Sequence, residues 1–388
     1  MPNNTHRFKN RIKAVMFGHG RQPLASSAPL LQIASVIYGA VQKARCAAYR
    51  HGVLASAGLP CRVISVGNLT VGGTGKTPLV MYLAGLLRQM GRSVTIVSRG
   101  YKGAAERQGA VVSDGQSLLL DAAAAGDEPY MIAHRLRDIP VVVGKKRLAA
   151  GMLAVDRFAP EVIVLDDAMQ HLRIKRDIDL VLLDCRLPFG NGHLLPRGIL
   201  REPVSSLARA DACLLTRCPA GDDQTSTSTA ALIRQLAPGM PVFRSSHVPY
   251  CYRIEKALRR PAAEMLLTTT DIDALNQRRV FGFSGIARND DFHTTVKDLG
   301  FDAASFMEFD DHHRYSAADL ERIAAASSRA GAELLITTEK DHARLQTGQR
   351  RLPLDLIVVG IKPWLADDEA AFIAFIKDRL GGESLEKV

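Results

Sequence analysis

The chain has 388 residues, more than one ordinary domain needs and about right for two. Hydrophobic residues make up 47% and charged residues 23%, so wholesale disorder is excluded. The net charge of +10 is uneven, because residues 1–105 carry 14 Lys and Arg and no acidic residue, whereas the remainder sums to −4. This asymmetry predicts an anionic partner for the N-terminal part: phosphates, nucleic acid or an anionic membrane surface. A merely basic, solvated face is the alternative.

The N-terminal residues are basic (Arg7, Lys9, Arg11 and Lys13), but no adequate apolar segment or cleavage site follows them. We therefore expect no signal peptide. The chain also contains no run of 18 or more apolar residues, so we expect no transmembrane segment. The cysteines form no CxxC pair and are expected to be free thiols in a reducing compartment: Cys46, Cys61, Cys185, Cys213, Cys218 and Cys251.

Apolar residues at helical spacing predict a helix over residues 29–58. The stripe consists of Leu30, Ile33, Ala34, Ile37, Tyr38, Val41 and Ala44. Lys43, Arg45 and Arg50 add positive charge without an acidic residue to balance it. Two interpretations stay open: a helix lying in a membrane interface, or an amphipathic helix facing the core.

From residue 61 short apolar strands alternate with helices, which predicts a mostly parallel sheet with helices on both faces. The predicted strands are Arg62–Val66, Val94–Ser98, Val141–Gly144, Val162–Leu165, Leu180–Leu183 and Cys213–Thr216. Helices are predicted at Pro78–Gly91 and Lys145–Phe158. The polar segment Gly221–Thr229 is predicted to be a surface loop.

A second, smaller α/β domain is predicted beyond an extended connector at Pro241–Tyr252. The predicted domains are a basic, membrane-facing segment at 1–60, a P-loop core at 61–240, a linker at 241–270 and a C-terminal domain at 271–388. The C-terminal domain is predicted to contain strands at Arg279–Phe283, Leu334–Thr337 and Leu354–Gly360 and helices at Asp291–Leu299, Ala317–Ala330 and Asp367–Leu380.

A Gly-rich loop that ends in Gly75-Lys76-Thr77 lies between the first strand and its helix, which is the context of a Walker A loop. We predict that its backbone and side chains bind the phosphates of ATP: Thr70, Val71, Gly72, Gly73, Thr74, Gly75, Lys76 and Thr77. Lys76 should reach the β and γ phosphates, and Thr77 should bind Mg²⁺. The strict pattern has glycine where this chain has Thr70, and the doubled Gly72-Gly73 is expected to compensate.

The strand Val162–Leu165 ends in Asp166-Asp167, which predicts a Walker B strand with its carboxylates beside the Mg²⁺ of the P-loop. A solvated turn is the alternative. Asp127 precedes a helical run, and either a helix N-cap or a catalytic base would explain it. In Asp310–Tyr315 we expect one histidine to handle protons, and no zinc site, because no matching Cys or His spacing exists.

Two further segments predict contacts to a substrate. Lys145-Lys146-Arg147 places three cations at a predicted helix start, where they oppose the helix dipole, so that binding an anion would justify them. The Gly- and Pro-rich segment Gly190–Pro203 is predicted to be a loop at the edge of the sheet, where substrate contacts are common.

Together these motifs resemble the tetraacyldisaccharide 4'-kinase (lipid A 4'-kinase) family over residues 24–363. The resemblance is carried by Ser65–Pro78, Ser98–Tyr101, Gly126–Pro129, Asp166–His171, Gly190–Pro203, Asp311-His312 and Thr338–Asp341. It implies transfer of the γ-phosphate of ATP, with Mg²⁺, to the 4'-hydroxyl of a tetraacylated disaccharide 1-phosphate. It also implies a peripheral position on the cytoplasmic face of the inner membrane, and a second domain that closes the active-site cleft.

The resemblance assigns roles to individual residues. It implies that Lys76 is catalytic and that Asp166 and Asp167 belong to the metal site. Asp127 matches the proposed catalytic base and His312 the histidine that supports it. Arg147, Arg201, Glu202 and Asn191 are expected in the substrate site. This chain has Ala168-Met169 where the family usually has Gly-Phe, which requires that position 168 does not need a positive φ.

Two other functions are weighed against a lipid kinase. A P-loop switch ATPase with a nucleic-acid or protein partner commonly has lysine where this chain has Val71, and the chain lacks the basic-aromatic pattern of single-strand binding. A kinase of a soluble metabolite would leave the cationic N-terminal helix unexplained. We therefore expect no nucleic-acid partner and no obligate protein partner.

Overall fold

The computed structural model describes Met16 and residues 28–219, 221, 223–254, 265–345 and 352–381. The basic N-terminal residues Arg7 to Lys13 and the centre of the expected linker, residues 255–264, lie outside these ranges. The chain forms two compact units. The first contains Met1–Arg99, Lys146–His247 and Pro363–Val388, and the second contains Gly100–Lys145 and Val248–Lys362. These units interleave along the sequence, whereas we expected consecutive domains. The expected domain boundaries, and the expectation that the second domain closes the active-site cleft, stay predictions.

The strands, in chain order, are β1 Arg62–Asn68, β2 Val94–Ser98, β3 Ala110–Ser113, β4 Val141–Val143, β5 Val162–Asp166, β6 Ile178–Asp184, β7 Ala212–Thr216, β8 Val242–Arg244, β9 Ser246–Ile254, β10 Met265–Leu266, β11 Arg279–Ser284, β12 Asp302–Glu308, β13 Leu334–Thr338 and β14 Leu356–Trp364. The helices are α1 Ala28–Arg50, α2 Lys76–Gln89, α3 Ala122–Ala125, α4 Asp127–Arg135, α5 Arg147–Phe158, α6 Gln224–Leu236, α7 Thr269–Leu275, α8 Asn289–Asp298, α9 Ala317–Arg329, α10 Glu339–Leu345 and α11 Glu369–Arg379.

The first unit is built on strands in the order β2-β5-β1-β6-β7-β8. Each neighbouring pair in this series is parallel. Strands β2, β5, β6 and β7 are buried along their whole length, so they read as continuous apolar runs rather than alternating ones. Because β1 and β5 are parallel neighbours, the loop after β1 and the carboxylates at the end of β5 lie at the same edge of the sheet.

The second unit contains a sheet in the order β10-β9-β14-β13-β11-β12. The pairs β11–β12, β11–β13 and β13–β14 are parallel, and β9–β10 is antiparallel. Two buried clusters pack against this sheet, one around Val280 and Phe292 and the other around Phe283 and Leu335. Strands β3 and β4 form an antiparallel pair in the same unit.

The α/β class is confirmed, and most predicted strands and helices lie within two residues of the observed bounds. The loop predicted at Gly221–Thr229 was wrong, because helix α6 begins at Gln224. The Asp223 carboxylate caps this helix by accepting from the Ser226 amide at 3.2 Å, and the small polar residues that suggested a loop form its first turns. Helix α1 ends at Arg50 rather than at residue 58, and Gly52 follows with φ of 72°.

The connector predicted at Pro241–Tyr252 is extended, as expected, but it is not a free linker. Its residues form β8 and most of β9, and each of these strands is part of a sheet. The cysteines are free thiols, as predicted: four are buried, and Cys46 and Cys61 are partly buried.

Candidate active site

The P-loop connects β1 to α2 in the first unit. Gly72 has φ of 112° and Gly75 has φ of 81°, conformations that residues with a Cβ rarely adopt, so both positions require glycine. Two hydrogen bonds hold the loop at Thr74: Asn68 Nδ2 donates to its hydroxyl at 3.0 Å, and the Thr216 hydroxyl donates to its carbonyl at 3.0 Å. Lys76 begins α2, and Thr77 in the same turn is 5% exposed.

The structure explains Thr70, the departure from the strict P-loop pattern. Thr70 forms an antiparallel bridge with Leu200, so it has strand-like pairing and no positive φ. On either side of it the Val71 amide donates to the Ile199 carbonyl, and the Arg201 amide donates to the Leu69 carbonyl, both at 2.7 Å. The glycine-rich segment 190–203 therefore pairs directly with the first part of the P-loop.

Asp166 and Asp167 at the end of β5 have different environments. Asp166 is 2% exposed and accepts from the Ser98 hydroxyl at 2.9 Å. Asp167 has φ of 50°, and its carboxylate lies 3.5 Å from Lys76 Nζ and 2.9 Å from Arg201 Nη1. Burial alone would raise the pKa of Asp167, but the charges of Lys76 and Arg201 lower it to about 2. The carboxylate is therefore ionised at neutral pH and faces the P-loop lysine.

Ala168 and Met169 follow these carboxylates and are both fully buried. Ala168 is not among the residues with positive φ, as the loss of the family's usual glycine required. Met169 packs so closely on Gly67 that a Cβ added at Gly67 would lie 2.5 Å from the Met169 Cβ. The Met169 amide nitrogen and Cα approach almost as closely, so position 67 requires glycine whichever side chain follows at position 169.

The four expected substrate residues lie in the first unit, in three kinds of environment. Arg147 is 2% exposed, and its guanidinium donates to the Asp166 carbonyl at 3.1 Å. Glu202 is 1% exposed and forms an ion pair with Arg209 at 2.7 Å. Asn191 holds its own loop, accepting from the His193 amide and donating to the Arg197 carbonyl, each at 3.1 Å. Their contact with a substrate stays a prediction; Arg201, a quarter exposed beside Asp167, is the most accessible of the charged three.

Asp127 lies in the second unit, and it is not the N-cap of its helix. Gly126 occupies the cap position with φ of 89°, and Asp127 is the first residue of α4. Its carboxylate Oδ2 lies 3.1 Å from His312 Nδ1 and accepts from Arg344 Nε at 2.8 Å. Burial would raise the pKa of Asp127, but the hydrogen bonds and charges of His312 and Arg344 lower it below its usual range.

His312 also has a strained backbone, with φ of 65°. Its amide donates to the Gly285 carbonyl at 3.1 Å, and the edge of its ring contacts Tyr101. The neighbouring His313 has a structural role, because it stacks on Phe309 and lies 3.1 Å from the Asp319 carboxylate. Ser316 caps α9, because its hydroxyl accepts from the Asp319 amide at 3.2 Å. The sequence placed Asp127 and His312 in consecutive domains, whereas both lie in one compact unit.

Sequence reasoning missed several ionisable residues near these groups. Arg344 is the clearest case, since it contacts the Asp127 carboxylate from a segment 217 residues away. Asp184 forms an ion pair with Arg217 at 2.7 Å, and His247 lies against Gly75 of the P-loop. Asp184 could have been found, because it ends the apolar strand β6 next to β1, as Asp166 ends β5.

A glycine-rich loop that joins a buried parallel strand to a helix, with carboxylates at the end of the adjacent strand, defines a P-loop nucleotide-binding protein of the α/β class. Residues 27–381 match the family model described as tetraacyldisaccharide-1-P 4'-kinase. The chain belongs to this family of kinases.

Relatives with this function in their names cover nearly the whole chain. A tetraacyldisaccharide 4'-kinase from Desulfatibacillum aliphaticivorans is 38% identical over 373 residues, which is 96% of this chain and 98% of the relative. One from Geobacter metallireducens is 42% identical over 316 residues, 81% of this chain and 88% of the relative. The crystal structure of LpxK from Aquifex aeolicus in complex with ATP is 32% identical with a TM-score of 0.72, and covers 92% of this chain and all of that chain.

The burial of Glu202 generates a stability prediction. Replacing Glu202 by Gln removes the negative charge beside Arg209 and should lower the free energy of unfolding by about 3–5 kcal/mol, because Arg209 then loses its buried counter-ion. Glu333→Gln is the matched control: it breaks an exposed pair with Arg278 and should cost less than about 1 kcal/mol. Urea unfolding curves measure both, and equal losses would contradict a structural role for Glu202.

Proposed function

We propose that the chain transfers the γ-phosphate of ATP to the 4'-hydroxyl of a tetraacylated glucosamine disaccharide 1-phosphate, the reaction that gives its family its name. The observation that carries this proposal is the P-loop, with Lys76 Nζ 3.5 Å from Asp167, in a chain that matches that family over residues 27–381. Neither a switch ATPase nor a kinase of soluble metabolites accounts for a match of this length.

The residues around the P-loop fit ATP and Mg²⁺. The amides of a glycine-rich loop and the N-terminus of α2 bind phosphate oxygens well. The Thr77 hydroxyl and the carboxylates of Asp166 and Asp167 are hard oxygen donors, which Mg²⁺ prefers. When bound, the ion would neutralise charge on the β and γ phosphates. Lys76 would stabilise the negative charge that develops on the transferred group.

Asp127 is the proposed general base. The acceptor oxygen forms a bond to the γ-phosphorus, its proton passes to the Asp127 carboxylate, and the bond between the γ-phosphorus and the bridging oxygen breaks, so that ADP leaves with the electron pair. A carboxylate of lowered pKa is ionised at neutral pH and therefore ready to accept. His312 would orient it, because its Nδ1 lies 3.1 Å from Oδ2.

Phosphate transfer to a panel of acceptors tests the function. With γ-labelled ATP and Mg²⁺, label should pass to the disaccharide 1-phosphate lipid and not to soluble sugars or nucleosides. Lys76→Ala should lower kcat by at least ~10²-fold, the scale of a lost transition-state contact. Lys175→Ala changes an exposed lysine on the same unit and should leave kcat unchanged. Label on a soluble acceptor alone, or only ATP hydrolysis stimulated by nucleic acid, would favour one of the rival functions.

Asp127→Asn should lower kcat by ~10²–10⁴-fold, because the amide keeps the shape but not the basicity of the carboxylate. Combined with His312→Ala it should cost less than the sum of the two single losses, because the pair acts as a unit. Asp121→Asn is the control, since Asp121 is a true helix N-cap, on α3. Steady-state kinetics and melting temperatures are measured together. Full additivity would separate His312 from Asp127, and a melting-temperature loss without loss of kcat would leave Asp127 a structural residue.

We also propose that α1 lies in the interface of an anionic membrane. Its apolar face points to solvent: Leu30, Ile33, Val36, Ile37 and Val41 are between 58% and 73% exposed. An exposed apolar stripe of this kind marks an interaction surface, and the core-facing interpretation does not describe it. Among the described residues, no helix has the length and apolarity needed to cross a bilayer.

The opposite face of α1 packs on the first unit through polar contacts. The Ser35 hydroxyl donates to the Leu194 carbonyl at 2.8 Å, the Tyr38 hydroxyl to the Arg201 carbonyl at 2.8 Å, and Arg45 to the Gln170 carbonyl at 2.7 Å. The helix is thus held by hydrogen bonds while its apolar side stays free. The excess of cations in residues 1–105 would attract anionic headgroups.

Replacing Ile33, Ile37 and Val41 by Ser should weaken binding to vesicles that contain anionic lipid at least ~10-fold, because three apolar side chains no longer enter the interface. The melting temperature should change little, since the three side chains are exposed. Leu232→Ser with Leu236→Ser, on the exposed side of α6, is the control and should bind normally. Vesicle sedimentation measures binding. Unchanged binding by the folded triple variant would contradict the interface role.

A further inference from the structure

Helix α10 carries an arginine that is almost completely buried against the proposed base. The Arg344 side chain is 2% exposed, and its Nε donates to Asp127 Oδ2 at 2.8 Å. From the same guanidinium, Nη1 donates to the Gly285 carbonyl at 2.7 Å and to Asp341 Oδ1 at 2.9 Å. Three contacts in different directions fix the plane of the guanidinium, which a flexible lysine could not reproduce.

Asp341 is itself held on all sides. It is fully buried, and its Oδ1 accepts from the Gly285 amide at 3.0 Å and from the Tyr315 hydroxyl at 2.9 Å. Its Oδ2 accepts from the Thr338 hydroxyl at 2.7 Å. A carboxylate that accepts this many hydrogen bonds is held rigidly. Its contact with Arg344 therefore fixes the guanidinium independently of Asp127.

Both partners of the Asp127 carboxylate contact the same oxygen. His312 Nδ1 and Arg344 Nε lie 3.1 Å and 2.8 Å from Oδ2, and Oδ1 accepts no hydrogen bond from any described residue. An ionised carboxylate can only accept, so His312 Nδ1 is the donor in its contact with Oδ2. Arg344 Nη2, also a donor, lies 3.4 Å from that nitrogen and therefore does not hydrogen-bond to it. Two contacts on one oxygen fix the carboxylate plane and leave the second oxygen available.

We propose that Arg344 is a positioning residue for the reaction: it holds Asp127 by Oδ2, together with His312, so that Oδ1 is presented to the proton of the acceptor hydroxyl. This inference rests on the proposed function, and it assigns proton acceptance to Oδ1 of Asp127. Catalysis of phosphoryl transfer depends largely on positioning, so the orientation of the base contributes alongside its basicity. A cation that weakens the base is therefore tolerated when it also orients it.

A purely structural tie between α10 and α4 is the alternative, because Arg135 and Glu339 already join the same two helices by an ion pair at 3.1 Å. The pH dependence of kcat/KM separates the two roles. The charged groups around Asp127 are Glu128 on its own helix, Lys340, Asp341 and Arg344 on α10, and Asp311 and His312 before α9. Arg344 lowers the pKa of Asp127, so its loss should raise the pH below which activity falls.

The experiment compares Arg344→Gln, Arg344→Lys and Arg135→Gln in the full chain, with the lipid acceptor. Arg344→Gln should lower kcat by about 10²-fold, the effect of a misplaced base, and should move the acid limb of kcat/KM to higher pH. Arg344→Lys keeps the charge but not the fork, so it should lower kcat while the limb stays near its wild-type position. Arg135→Gln should lower stability and leave the limb unchanged. If Arg344→Gln alone fails to fold, the double variant Arg344→Gln with Asp341→Asn is measured instead, because it removes both buried charges together.

A second arm ties the effect to Asp127. In protein that already carries Asp127→Asn, Arg344→Gln should cause no further loss of kcat, because Arg344 acts through that carboxylate. A folded Arg344→Gln variant with kcat and acid limb like the wild type would overturn the inference alone. So would a further full loss in the Asp127→Asn protein. Wild-type protein that transfers no phosphate to the lipid acceptor would instead overturn the proposed function, and the inference with it.

Discussion

The parallel pairing of β1 with β5 is the constraint on which the nucleotide site depends. The register places Val66 opposite Asp166, so β5 ends beside Val66, two residues before the end of β1. The P-loop and the end of β5 therefore lie at one edge of the sheet, where Lys76 Nζ lies 3.5 Å from the Asp167 carboxylate. The pairing of Val71 with Ile199 and of Arg201 with Leu69 adds the glycine-rich segment 190–203 to this edge. Lys76, Asp167 and Arg201 meet there as a consequence of the sheet.

The charges at that edge are balanced by their neighbours. Asp167 is placed between a lysine and an arginine, and the positive φ that it needs to reach them has an energetic cost that these ion pairs offset. Asp127 in the second unit shows the same principle with different partners, because His312 also adopts a positive φ and Arg344 is held by the buried Asp341. A strained backbone thus occurs at Asp167 in the proposed metal site and at His312 beside the proposed base.

Helix α1 reverses the usual arrangement of an amphipathic helix on a globular unit. Its packed face is small and polar, with Ser35 and Gly39 buried, and its solvent face is apolar. Burying that face would release roughly 25 cal/mol for each Å² removed from water, so solvent is an unfavourable final environment for it. In the proposed membrane-bound state both sides of the helix would be satisfied, because the polar contacts would remain with the protein and the apolar side chains would enter the lipid.

The sequence by itself determined the class of fold, the P-loop and the Walker B strand, because these features depend on short stretches whose spacing and hydrophobic period are local. The catalytic roles of Asp127 and His312 came from the family resemblance and stay predictions. Periodicity also predicted α1, but not which face it would expose. Only the tertiary structure decided that Thr70 pairs with Leu200, that Glu202 and Arg147 are buried, and that Arg344 holds Asp127 from 217 residues away. Those outcomes depend on which backbone and charged groups, distant in the sequence, are buried next to one another. A local sequence pattern carries no information about such contacts.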